Sequence, residues 1–376
     1  MRRRILHVIT TLTTGGAEVM LDKLVSRTRH EVSVVSLVPG GAIGERIARR
    51  GIPVSSMGMS LGVPDPRGML RLSRIVRGWR PHLVQTWMYH ADLVAGTTVR
   101  ALHGIPVVWN VRQSNLDPAG TKRSTILTAR LCARLSRTVP RRVVCCSEVA
   151  QRVHVELGYA EDKFTVLPNG FDLDTFRPDG EARAAVRREL GVPDGVPLVG
   201  LVARFDPQKD HANFFQAAAR LRSLGPEVHF VLAGDGVTGG NPELRAMAEA
   251  AGVVNSVHLL GRRDDIPRLT AALDLAVSSS FGEGFPNAVG EAMAAGVPCA
   301  VTHVGDSAYI VGGEGVVVPP RDATALAEGM HAILSLEAEE KAALGARARE
   351  RVRRMFSLDY VVARYDDLHE SVIANG

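Results

Sequence analysis

Two doubly wound α/β domains of Rossmann type are what this chain predicts, and three observations predict them. Short β-branched runs alternate with amphipathic helical stretches, which is the pattern of a mostly parallel sheet covered on both faces. The alternation breaks once, in the Pro-, Gly- and Asp-rich stretch 168–180, and then restarts. At 376 residues the chain also exceeds one comfortable core. The expected division is a domain over 1–180, a second over 181–355, and a C-terminal helix over 356–376 that could cross back to the first domain.

The elements follow in order. Residues 4–10 form an apolar strand; their basic start resembles a secretory signal only superficially, because His7 and the threonines interrupt the run and no small-residue cleavage site follows. A polar loop with paired glycines leads to a helix over 17–29. Strands at 31–37, 53–57, 82–86, 106–111, 143–147 and 163–167 then alternate with helices at 43–50, 69–80, 90–102, 124–138 and 148–157. After the break, strands at 198–202, 228–233, 257–260, 275–279, 298–302 and 316–318 alternate with helices at 211–224, 242–251, 266–272 and from near Asn287. The tail from Ala323 reads as helical, with a charged segment over 337–354. Ligands of such sheets bind beyond the carboxyl ends of the strands, so the cleft between the two domains is the expected site.

Composition narrows the class. A chain with 45% hydrophobic and 23% charged residues is an ordinary soluble protein, and no apolar run reaches the roughly 18 residues of a membrane helix. Cys132, Cys145, Cys146 and Cys299 lack zinc-site spacing and read as buried reduced thiols, which points to the cytoplasm. The net charge of +5 is uneven: residues 1–180 carry +12 and residues 181–376 carry −7. Two helices of the basic half, 69–80 and 122–142, interleave arginines (Arg71, Arg74, Arg77; Arg123, Arg130, Arg134, Arg137, Arg141) with leucines. Such helices are either solvated outer faces or peripheral contacts with the anionic inner face of the plasma membrane. No nucleic-acid partner is expected.

The chemistry concentrates at strand ends. In 278–296, SSSFGEGFPNAVGEAMAAG, a Gly-rich turn brings Glu283 to the sheet edge. A helix then begins near Asn287 and carries Glu291 about one turn in, leaning back toward its N-terminus. Two carboxylates beside unpaired helix N–H groups suit a ligand with both hydroxyls and phosphate. Arg204 and Lys209 bracket a Pro turn before a helix, where a guanidinium fork and an ammonium suit a diphosphate; a solvated turn is the alternative. Lys209 is one of five lysines beside 40 arginines. Gly234 and Gly236 allow either close backbone approach or an ordinary turn, and backbone at Gly261-Arg262-Arg263 could contact a base. In the first half, Gly15-Gly16 opens a helix where backbone can press on a ligand, without matching GxGxxG or the Walker loop. His90, one of twelve histidines, opens another helix and is either structural or functional. Asp172-Leu173-Asp174 is formally a metal-nucleotide D-x-D, but its Pro/Asn/Gly surroundings favour a turn, so no metal or other cofactor is expected.

Gly15-Gly16, His90, the Pro168-Asn169-Gly170 linker entry, Arg204 with Lys209, and the E-x7-E of Glu283 and Glu291 together resemble the retaining, nucleotide-sugar-dependent glycosyltransferases of family 4. The resemblance implies a two-Rossmann GT-B fold and a metal-independent hexosyltransferase taking its sugar from a UDP-linked donor. The acceptor would be a glycan or lipid-linked, in cell-surface polysaccharide or glycolipid synthesis. It further implies that Glu291 holds the ribose hydroxyls, Glu283 the transferred sugar, and Arg204 and Lys209 the diphosphate. Backbone at Phe285, Pro286 and Asn287 would touch sugar or phosphate, Gly16 would line the diphosphate and acceptor, and His90 would face the sugar near the reacting carbon. A nucleotide-sugar epimerase and a non-catalytic nucleotide-sugar sensor are the competing readings.

Overall fold

The computed structural model of the protein describes residues 2–60, 65–114, 116, 121–225 and 227–375. The chain divides into two compact units, Met1–Gly170 with Leu358–Gly376, and Phe171–Ser357. The division thus falls at Gly170 rather than at 180.

Among the described residues, the first unit is built on seven parallel strands: β1 (Arg4–Ile9), β2 (Glu31–Ser36), β3 (Val54–Ser56), β4 (Leu83–Trp87), β5 (Val107–Val111), β6 (Arg142–Cys145) and β7 (Phe164–Val166). Their order is β3-β2-β1-β4-β5-β6-β7. β1 is an inner strand between β2 and β4, with Ile5 opposite both Val32 and Leu83. Because side chains alternate along a strand, Leu6 and Val8 fill one face of the sheet while Ile5 and Ile9 fill the other. That second face is completed by the last helix, Leu358–Ala374, through Leu358, Val361, Val362 and Tyr365. The Tyr365 hydroxyl accepts a bond from Asn110 Nδ2 at 3.2 Å. Between β1 and β4 the strand order reverses, leaving a crevice beyond their carboxyl ends.

Among the described residues, the second unit has six parallel strands: β8 (Leu198–Val202), β9 (His229–Ala233), β10 (Val257–Leu259), β11 (Leu275–Ser278), β12 (Cys299–Thr302) and β13 (Val316–Val318). Their order, β10-β9-β8-β11-β12-β13, places its reversal between β8 and β11. All four cysteines of the chain are buried as thiols.

Several elements depart from the sequence expectation or refine it, among them a short helix, Ser307–Val311, that the expectation lacked. The helix expected over 90–102 is broken into Tyr89–Ala91, a π-turn over Asp92–Gly96, and Thr97–His103. The buried Asp92 accepts from the Thr86 hydroxyl, and the Thr98 hydroxyl donates to Val94 O at 2.7 Å, so side chains displace the regular ladder. A helix over Gly180–Leu190 was not legible, because its charged sequence lacks an apolar stripe. Asp179 caps it through the Ala182 N–H (2.8 Å), and Arg183 (2.6 Å) and Arg187 (3.0 Å) anchor it to Asp274. The tail is three helices, Ala323–Leu334, Ala338–Met355 and Leu358–Ala374, the second opened by a Glu337/Glu340 capping box.

His154 makes the first unit sensitive to acid. Its ring is buried, bonded to the Tyr89 hydroxyl (2.7 Å) and Ala150 O (2.6 Å), and burial pushes its pKa down to about 4. An unfolded histidine titrates near 6.5, so the unfolded state takes up the proton first. The stability that His154 contributes is complete above about pH 6.5 and is lost as pH falls toward 4, with a slope of up to about 1.4 kcal/mol per pH unit. His154→Gln should flatten urea-unfolding stability against pH in that window; an unchanged slope would refute the assignment.

Candidate active site

In the second unit the reversal between β8 and β11 is closed by two loops that hold each other. The loop after β8 ends in a short 3-10 turn, Pro207–Lys209, started by Asp206, whose carboxylate accepts from the Gln208 N–H at 3.0 Å. Partial burial pushes the Asp206 carboxyl up, but that N–H and the Arg204 guanidinium outweigh it and hold it below the usual range. Asp210 then adopts a left-handed conformation (φ 49°) and caps the helix His211–Leu224 through the Asn213 N–H at 3.2 Å. The loop after β11 docks on this turn: Phe281 N–H donates to Gln208 O (2.9 Å) and Ser279 Oγ to Lys209 O (2.8 Å).

At the junction Lys209 Nζ meets Glu283 Oε1 at 2.5 Å, and the Ser280 hydroxyl donates to the same oxygen at 2.7 Å. Both charged side chains are largely covered, at 19% and 11% exposed. The structure therefore brings together two of the sequence-predicted residues that lie 74 positions apart. Thr302 at the end of β12 braces the loop from behind, its hydroxyl donating to Ser280 O at 2.6 Å. Arg204 stands apart from the pair. Its guanidinium binds Asp206 (3.0 and 3.1 Å) and is 62% exposed, a cation held near the crevice but still solvated.

The helix Asn287–Ala294 begins after Pro286, which has no capping side chain. Asn287 and Glu291 are both half-buried on it. The Phe285 side chain is turned inward, stacked on Phe171 with centroids 6.0 Å apart and packed edge-on against Phe356. Only its backbone is available for the role expected of it. Beneath the helix a void of about 10 Å³, lined by apolar groups such as Leu273, Val289 and Cys299, has room for no more than one water.

The other expected glycines separate by cause. At Gly234 a Cβ would lie 2.1 Å from Ala203 O, so packing alone demands glycine there. Gly261 donates its N–H to Val237 O (2.6 Å) and accepts from Gly234 (2.8 Å), so its backbone is committed within the fold; Arg262 beside it is exposed. In the first unit, Gly15 and Gly16 follow β1, and His90 follows β4, so they rise from the two strands flanking that unit's reversal. Nothing lies within 4 Å of a Cβ built on Gly16, whereas one on Gly15 would strike Glu18. His90 is half-buried, and burial lowers its pKa, favouring the uncharged ring.

Several contributors were missed by the sequence reasoning. Ser280 and Thr302 fix the Glu283 loop; the only signal for Ser280 was the polar run Ser278-Ser279-Ser280, and Thr302 had none. Glu18, one turn past Gly15, accepts from the Thr11 hydroxyl at 2.7 Å and ties the glycine loop to its helix. The Arg321 guanidinium lies 4.1 Å from the Phe281 ring centre, a contact that no sequence spacing foretells. Asp172 of the D-x-D accepts the Asp174 (3.0 Å) and Thr175 (3.2 Å) N–H groups, the turn geometry expected of it.

Family comparisons follow this division. A family model described as glycosyltransferase family 4 matches residues 14–175, and one described as glycosyl transferases group 1 matches residues 196–336. The chain belongs to the family-4 glycosyltransferases. It is a glycosyltransferase with the GT-B fold. A UDP-Gal:alpha-D-GlcNAc-diphosphoundecaprenol alpha-1,3-galactosyltransferase of Escherichia coli is 25% identical over 266 residues, covering 70% of this chain and 68% of the relative. A 2-deoxystreptamine N-acetyl-D-glucosaminyltransferase of Streptomyces fradiae is 32% identical over 273 residues, covering 66% and 62%. The fold is shared with Anabaena Alr3699/HepE, solved in complex with UDP, at a TM-score of 0.85 and 24% identity over 98% of this chain and 100% of that one.

Gly290 gives this site a direct test. A Cβ there would fall 2.0 Å from Phe171 Cζ. Gly290→Ala should lower the denaturation midpoint by the equivalent of about 1–3 kcal/mol, the usual cost of overpacking. Adding Phe171→Leu should recover part of the loss; full stability of the single variant would contradict this packing.

Proposed function

We propose that this transferase is a retaining enzyme that uses a UDP-linked sugar as donor and a glycan or lipid-linked acceptor, in cell-surface polysaccharide or glycolipid synthesis. The observation that carries the reading is the Lys209–Glu283 pair at the β8/β11 reversal. The pair is internally neutral and largely desolvated. A ligand that draws Lys209 to itself must give Glu283 a replacement donor, and a sugar diphosphate carries both parts: phosphate oxygens for the ammonium and sugar hydroxyls for the carboxylate. Glu291, a turn into the following helix, suits a ribose diol, and the helix N-terminus and backbone at Phe285, Pro286 and Asn287 suit an anion. The E. coli relative is named for UDP-galactose and a diphosphoundecaprenol-linked acceptor, which supports the donor and acceptor classes.

In the proposed reaction the bond from the anomeric carbon to the diphosphate oxygen breaks, and one from the same face to the acceptor oxygen forms. The leaving diphosphate takes the acceptor's proton. Lys209 and Arg204 stabilise the charge that grows on the diphosphate, which is where fixed cations lower a barrier most. That division of labour assigns no step to a metal ion or other cofactor. His90 and Gly16 serve the sugar and acceptor from the first unit, the uncharged imidazole offering one donor and one acceptor. The site glycines Gly15 and Gly234 act by shaping their loops, and Arg262 by its exposed position beside Gly261.

Peripheral contact with an anionic membrane is part of the same proposal. Among the described residues no helix is long and apolar enough to cross a membrane. On the helix Arg123–Leu135, Ala129, Cys132 and Ala133 face the core while Leu127 (69%) and Leu131 (43%) stay exposed beside Arg123, Arg130 and Arg134. Leu70 is similarly exposed on Pro66–Trp79. Apolar and cationic groups on one surface suit a bilayer with anionic headgroups. Flotation with anionic vesicles should carry the protein at low salt and less at high salt; no binding at either would sink this part.

Incubation with labelled UDP-sugars and no acceptor tests the donor. Slow hydrolysis supports a transferase, an isomerised sugar an epimerase, and an unchanged ligand that still raises the melting temperature a sensor. Glu291→Ala should weaken UDP binding at least tenfold, whereas Lys209→Ala should lower kcat by about 100-fold or more, as loss of a transition-state charge partner does. Thermal melts show whether each variant is folded, and unchanged kinetics in both would remove the assignment.

A further inference from the structure

A second polar cluster lies in the first unit, on the face of the sheet covered by the last helix. His30, just before β2, is buried, and neither of its ring nitrogens has a hydrogen-bond partner. Asp366 and His369 project from Leu358–Ala374 three residues apart, which puts both on one helix face. One donor atom each from His30, Asp366 and His369 lie within 4.8 Å of one another, and all three residues are buried. His30 Nε2 stands 3.8 Å from Asp366 Oδ1, too far for a hydrogen bond.

The surroundings orient these donors. Gln85 of β4 meets His369 Nε2 at 2.7 Å. A proton on that nitrogen satisfies Gln85 Oε1 and leaves the ring's lone pair on Nδ1, which has no partner. The Thr28 hydroxyl and the Arg29 N–H (3.1 Å) donate to the Asp366 carboxylate and fix its plane, each oxygen keeping a second lone pair. A ligating imidazole held by a bond at its other nitrogen, beside a braced carboxylate, is the usual outer-shell arrangement of a metal site. Local charge has the right sign: Asp366, Asp367 and Glu370 outnumber the guanidinium of Arg29, which approaches all three, and that of Arg2, which lines the same surface as Asp367 and Glu370.

Neutral histidine packing does not account for His30, because an imidazole with no partner at either nitrogen leaves a buried donor and a buried acceptor unsatisfied. We propose that His30, Asp366 and His369 bind a divalent transition-metal ion of the Zn²⁺ type, fastening the C-terminal helix to the sheet of the first unit. Two imidazoles and one carboxylate are borderline ligands that suit Zn²⁺ over Mg²⁺ or Ca²⁺. Metal–ligand bonds of about 2.0–2.1 Å require donor atoms roughly 3.3 Å apart in a tetrahedron, so the triad must contract by about 1.5 Å or less from its present spacing. The role is structural and separate from the transfer chemistry.

The full-length protein, stripped with a chelator and dialysed, should bind one Co²⁺ as a spectroscopic stand-in, with the visible d–d absorption of a low-coordinate nitrogen/oxygen site. Zn²⁺ should displace it and raise the melting temperature of the chelator-treated protein. His30→Gln and Asp366→Asn should each weaken Co²⁺ binding at least tenfold, the second keeping side-chain volume and an acceptor for Thr28. His258→Gln, which removes one of the His229/His258 pair 3.0 Å apart on the other unit, should leave binding unchanged. Absence of stoichiometric Co²⁺ binding would overturn the proposal, as would binding that survives both triad variants or is lost with His258. Donor binding by UDP in the stripped protein is independent of this readout.

Discussion

The organisation of the second unit depends on one partly buried ion pair. Lys209 and Glu283 come from loops after two strands that are neighbours in space but far apart in sequence, and their contact closes the crevice at the strand reversal. Taking an ammonium and a carboxylate this far out of water is costly, and Coulomb attraction offsets it only when remaining valences are met. Here the Ser280 hydroxyl adds a donor to the carboxylate, and backbone bonds from Ser279 and Phe281 fix the loops on either side. Removing either partner leaves an uncompensated charge in a protected place, an imbalance worth about 3–5 kcal/mol. The pair is thus a fastening of the scaffold as well as the feature on which the proposed donor reading rests.

That dual character explains how much of the site could be read from sequence. The strands were legible because buried parallel strands are short β-branched runs, and each end then marks a place where function can sit. Glu283 and Lys209 were legible for the same reason, each following such a run by a few residues. Their direct contact was not, since it depends on β8 and β11 being neighbours, and strand order is not written in the local pattern. The Gly180–Leu190 helix escaped because its stability comes from Arg183 and Arg187 on Asp274, a partner about 90 residues away. The π-turn after His90 escaped because Asp92 and Thr86 look like ordinary helix and strand residues until burial pairs them.

The two units use their reversals differently. The second presents charges in the crevice: a lysine, two glutamates and a solvated arginine. The first presents backbone and an uncharged imidazole, with Glu18 held by Thr11. Its wider surface is basic, yet its interior carries histidines that burial keeps neutral, His7 down to about 3 and His369 well below its ordinary value. Positive charge in this half is therefore a property of its surface.

Glycine makes the final distinction. At Gly234, Gly290 and Gly305 a Cβ would lie within 2.5 Å of another heavy atom, so the fold alone explains the residue. Gly16 opens a helix with nothing within 4 Å of the Cβ it lacks, and alanine there would raise helix propensity by about 1 kcal/mol. Internal packing gives no reason for glycine at that position. The proposed donor contact would supply one, because only a bare backbone lets a helix N-terminus reach an anion or a sugar hydroxyl without a methyl group between them. Gly16 is thus a glycine that internal packing leaves unexplained and that the proposed chemistry uses.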